Sequence, residues 1–130
     1  MSDLRLTALD GEWAVARLSP DAAIPEWAVS EQLLSITRTR DELSILVPAC
    51  QVPDGVVAQF GFRALAVVGP LDFSLTGVLA GLSGALAAAG VPIFVVSTYD
   101  TDIILVPATQ LGEAVAELEA SGYSVATSSA

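Results

Sequence analysis

Two short stretches hold the groups that could do chemistry. Asp100 and Asp102 stand two residues apart in a tight turn between the apolar runs Ile93 to Val96 and Ile103 to Val106. Leu75, Thr76 and Gly77 open an uncharged stretch to Ala89 that reads as a helix. A helix start offers unpaired backbone N–H donors and the positive end of a dipole, which suits a carboxylate. Asp72 or Ser74 is placed to cap it. An acidic turn offers acceptors to an ammonium group. Together the two stretches fit a zwitterion or a cation better than an anion.

Each stretch also has a plainer reading. Aspartates two apart in a hairpin are ordinary turn formers. Asp102 differs in directly preceding four apolar residues. Gly77, Gly81 and Gly84 could serve only to pack an Ala-rich helix on a sheet, or Gly77 could let a ligand come close. Asp72, Asp100 and Asp102 could form at most a weak hard-cation site, since no spacing resembles a dedicated calcium loop. We therefore expect no metal and no cofactor.

Composition narrows the field. The chain has 130 residues, no His, one Cys and a formal charge of −10. Without His there is no imidazole base, no Ser-His or Cys-His couple and no His-ligated zinc. The remaining acids fall in turns and on helix faces, which is the wrong setting for carboxylate acid–base catalysis. The expectation is a protein that is not an enzyme. The negative charge disfavours nucleic acid and anionic membrane surfaces. From Ala64 onward there is no basic residue against six acids. Cys50 alone makes no disulfide, suits a reducing compartment, and reads as a small buried or half-buried hydrophobe. Trp13 and Trp27 read as core or interface anchors. With no leader pattern in Met1 to Asp10, a cytoplasmic location is expected. The 27 uncharged residues between Asp72 and Asp100 are broken at Gly90-Val91-Pro92, so the helix is too short for a bilayer.

An internal repeat organises these elements. At an offset of 59, Thr39 to Gln51 overlays Thr98 to Gln110 with eight identities in 13 positions. This gives two units, residues 1–61 and 62–130. In the second, a strand at Ala64 to Val68 precedes the helix Leu75 to Ala89. Strands follow at Ile93 to Ser97 and Ile103 to Val106. A second helix capped by Thr109 presents Leu111, Ala114, Val115 and Leu118, and Tyr123 to Thr127 is a last strand. Strand-helix-strand-strand-helix-strand is the α+β, ferredoxin-like plan, with helices on one face of an antiparallel sheet. The first unit is a degenerate copy. It has a hairpin turning at Asp10-Gly11, a turn or two of helix within Asp21 to Ser30, strands at Leu34 to Thr39 and Leu43 to Val47, and at most a short helix opened by Pro53-Asp54-Gly55.

Three segments bring a family into view: Ser97-Thr98-Tyr99-Asp100-Thr101-Asp102-Ile103-Ile104-Leu105-Val106, Leu71 to Leu79, and Arg38 to Ile45. They resemble tandem ACT-domain proteins of the CASTOR-like group, over about Glu12 to Val125. The resemblance implies two ferredoxin-like ACT units, the first degenerate, that bind an amino acid at an ACT–ACT interface as a sensor or regulatory module. It places Thr98, Tyr99 and Asp102 on ligand-contacting positions, beside the helix-start residues Asp72, Leu75, Thr76 and Gly77. Leu75 stands where arginine-sensing relatives have a polar contact, so the resemblance does not carry over a preference for arginine. A thin pair of units with an apolar helix leaves surface for a second copy, so a homodimer is expected. The effector partner is not named by the sequence. The alternative is a structural or regulatory interaction module whose ligand site has decayed.

Overall fold

The computed structural model describes residues 4–68 and 77–127, and contacts divide the chain into two units. The first unit is Gly11–Phe62 and the second joins Met1–Asp10 to Arg63–Ala130. Strand β5 (Ala58–Val67) gives its first residues to the one and its last to the other.

In the first unit, β3 (Ser35–Arg38) pairs antiparallel with β4 (Leu43–Pro48), β4 with β2 (Trp13–Leu18), and β2 with the start of β5. Alternation of apolar residues explains which face is buried: Ala16, Leu43, Ile45 and Val47 make a core with Ala28. Where a repeated unit would carry its long helix, the segment after β2 is held by side chains instead. Gln51 donates to the carbonyls of Trp27 and Val29 at 2.7 and 2.6 Å. Arg38 donates to Pro20 and Ala22, and the buried indole N–H of Trp13 to Leu33 at 3.1 Å. Pro20 and Pro25 leave only turns between Asp21 and Ser30, so the short helix expected there is absent. Pro53 to Gly55 likewise forms a turn, and the helical element lies earlier, as a 3-10 turn at Ala49–Gln51. Cys50 lies in that turn and is exposed, not buried, because the chain there has already left the sheet.

The second unit follows the βαββαβ plan. The end of β5 leads to α1 (Val78–Ala88), β6 (Phe94–Ser97), β7 (Asp102–Pro107), α2 (Leu111–Ala120) and β8 (Ser124–Thr127). Leu82 and Leu86 of α1 and Ala114 and Leu118 of α2 pack with Leu65, Val67, Ile104 and Val106, so both helices lie on one sheet face. Burying each such Leu contributes about 1.5–3 kcal/mol.

β1 (Arg5–Ala8) departs from the expected hairpin with β2. It lies between β5, to which it is antiparallel, and β8, to which it is parallel, and it adds Leu6 and Ala8 to the helix-facing core. Leu9 still donates to Ala64, at 2.9 Å, so the chain keeps to β5 through the point where a hairpin would have turned back. The β1–β8 pair is thereby parallel within an antiparallel-dominated sheet. Gly11 adopts φ +94° beside Asp10 without closing a two-strand hairpin.

The repeat is visible as geometry. β3 and β6, β4 and β7, and the 3-10 turns Ala49–Gln51 and Ala108–Gln110 all stand at the same offset of 59. Thr109 lies inside the second 3-10 turn, so Gln110 occupies the N-cap of α2 in its place, without a side-chain cap bond. Among the described residues no helix is long and apolar enough to cross a membrane.

Candidate functional site

The β6–β7 hairpin gathers three of the expected site residues into one turn. Strand register sets Ser97 opposite Asp102, and the Ser97 hydroxyl donates to Asp102 Oδ1 at 2.6 Å. Asp102 is half-buried and Asp100 exposed. The sequence distinction between the two acids therefore corresponds to a difference in placement. Tyr99 is 81% exposed at the tip, so its ring is not a core anchor.

Thr98 builds the turn. Its N–H donates to the Thr101 carbonyl at 2.7 Å, and its hydroxyl donates to the same carbonyl at 3.0 Å while accepting from the Thr101 N–H at 3.1 Å. The other repeat makes the same closure. Thr39 N–H donates to Glu42 at 2.9 Å, and the Thr39 hydroxyl accepts from the N–H of Asp41 and of Glu42. Thr98 is thus first of all a turn residue, a role shared by a position with no ligand assignment. At Asp102's equivalent in the first repeat stands Leu43, which is 0% exposed. The half-buried acid belongs to the second hairpin alone.

Two residues escaped the sequence reading. Thr101 donates its hydroxyl to the Val67 carbonyl at 2.8 Å, tying the turn to the end of β5. Ser97, though within the quoted motif, was not singled out, and it is the partner that orients Asp102. Ser97 could have been found from hairpin register, which sets it against Asp102, whereas Thr101 carries no local signal because its partner Val67 is remote in sequence, on the strand β5 that β7 pairs with.

The helix start is displaced from its expected place. Gly77 is the N-cap of α1, at φ +83° in the left-handed region and without a side-chain cap bond; Ser74, expected like Asp72 as a cap, lies outside the described residues. A Cβ on Gly77 would meet nothing within 4 Å, so packing does not require glycine there. The backbone conformation does. Asp72, Leu75 and Thr76 lie outside the described residues. Among the described residues no group of three or more His, Cys, Asp or Glu is arranged to hold a metal ion.

Comparison with known proteins follows the division into units. Residues 57–120 match the ACT domain family model, and residues 11–55 match a second model that describes an N-terminal domain. A crystallised protein from Agobacterium tumefaciens is similar at 35% identity and a TM-score of 0.93, covering 100% of this chain and 97% of that one. A Vibrio cholerae protein of unknown function, described as a possible transport protein, is similar at 16% identity and a TM-score of 0.75, over 92% of this chain and 90% of that one. The regulatory subunit of aspartate kinase from Thermus thermophilus is similar at 16% identity and a TM-score of 0.61, over 93% and 97%. The last two share a fold with this chain. No curated protein matches it.

Proposed function

This chain carries an ACT domain and belongs to one family with the Agobacterium tumefaciens protein, and from that premise we propose that it is a non-catalytic regulatory module that binds a free amino acid. The carrying observation is the half-buried Asp102, oriented by Ser97 in the second hairpin while its repeat equivalent is the core residue Leu43. A carboxylate held at a turn, partly out of water, attracts an ammonium group more strongly than a fully solvated one. The N–H groups at the start of α1, beside Gly77, are the complementary donors for a carboxylate. Thr98 and Tyr99 contribute as turn former and exposed aromatic. The CASTOR-like resemblance supports placing the ligand at an interface between ACT units, in a cytoplasmic homodimer.

Thermal unfolding of the purified chain with each of the twenty amino acids tests this. A ligand at one hundred times its Kd adds about 2.7 kcal/mol of stability. We expect at least one amino acid to raise the melting temperature, and Asp102→Ala to abolish that rise. No shift across the panel would favour the second reading, an interaction module with a decayed site. That reading has its own support: the Thr98 hydroxyl and one Asp102 oxygen are already engaged within the hairpin.

A further inference from the structure

We infer that Thr101 is the positioning residue of the candidate site, an inference that rests on the function just proposed and deepens it. Both repeats close their hairpins with the same threonine, Thr39 or Thr98, so that closure says nothing specific about ligand binding. The two turns differ at the residue before the second strand. In the first repeat this is Glu42, whose carbonyl closes the turn and whose carboxylate lies 4.0 Å from Arg17 on the surface. In the second it is Thr101, whose hydroxyl reaches the carbonyl of Val67, a residue 34 positions away and 2% exposed.

That bond crosses from the hairpin to a strand fixed in the core. Val67 pairs with Leu6 of β1 and packs with Leu65 and Ile104. Val67 therefore cannot follow a moving turn, and the turn is held to it. Asp102 is the next residue after Thr101 and opens β7, which pairs with β5, so the anchor adds to that ladder in setting where the acid stands relative to the end of β5. Ser97 fixes the carboxylate's orientation, and Thr101 fixes its position.

The test compares Thr101→Val, which keeps the shape and loses the hydroxyl, with Thr101→Ser, which keeps the hydroxyl. Amide hydrogen exchange at Thr98 and Thr101 and calorimetric titration with each of the twenty L-amino acids are the readouts. We expect Thr101→Val to speed exchange at both amides and to weaken binding about tenfold, and Thr101→Ser to restore both. Unchanged exchange in Thr101→Val would overturn the anchor. Faster exchange with unchanged affinity would overturn the positioning role, as would failure of Thr101→Ser to restore binding. If the unaltered chain binds no amino acid, the underlying function fails and this role with it, a result read before any variant is made.

Discussion

Gly81 shows how one missing methyl group can decide a contact. A Cβ there would sit 2.6 Å from the phenolic oxygen of Tyr123, which packs against the core beneath α1. Alanine should stabilise a helix interior by about 1 kcal/mol over glycine, whereas overpacking costs about 1–3 kcal/mol. We expect Gly81→Ala to lose about 1 kcal/mol, and the same change combined with Tyr123→Phe to recover it. Urea unfolding of the two single variants and the double variant measures the coupling directly. The packing role of Gly81 was legible from an Ala-rich helix laid on a sheet. The role of Gly77 was not, because a left-handed φ shows in the sequence only as a glycine. Thr98 could have been assigned to its turn, since Thr39 repeats it where no ligand is expected. Cys50 was misplaced because the apolar run Ile45 to Ala49 leads up to it, yet the strand ends at Pro48.

At the scale of elements, order and type followed from hydrophobic periodicity, and the second unit was read almost strand for strand. β1 was not. Asp10-Gly11 between apolar runs is a strong hairpin signal, but the open side of β5 competes for the same strand and prevails. No local pattern reveals which of two distant edges a strand will join. β1 closes the gap between β5 and β8, so its removal would leave two unpaired edges and strip Leu6 and Ala8 from the core. We expect a chain of residues 11–130 to lose the cooperative unfolding of the second unit, as measured by calorimetry and near-ultraviolet circular dichroism. Leu6→Ala in the whole chain should cost about 2–5 kcal/mol. A shortened chain that melted like the full one would show that β1 is dispensable.

For the whole molecule, the repeat sets the stoichiometry that the proposed amino-acid binding should show. The two hairpins share backbone, closure and offset, but only the second has an acid at its strand start. Calorimetry should therefore find one amino acid per chain. Two per chain would mean that Leu43's hairpin also binds, against its burial. The duplication itself was legible, because eight identities at one offset need no structure to be seen. The sharing of β5 between units was not, since it depends on pairing outside the repeated segment.

The position of β1 also affects how the chain is made. Arg5 to Ala8 lie alongside Ser124 to Thr127, so the partners of one ladder are far apart in sequence. Such pairing carries a large loop-closure penalty and slows folding. During synthesis β1 must wait, uncommitted on one side, until β8 has emerged from the ribosome. The second unit is thus completed only once its last strand, β8, is available to pair.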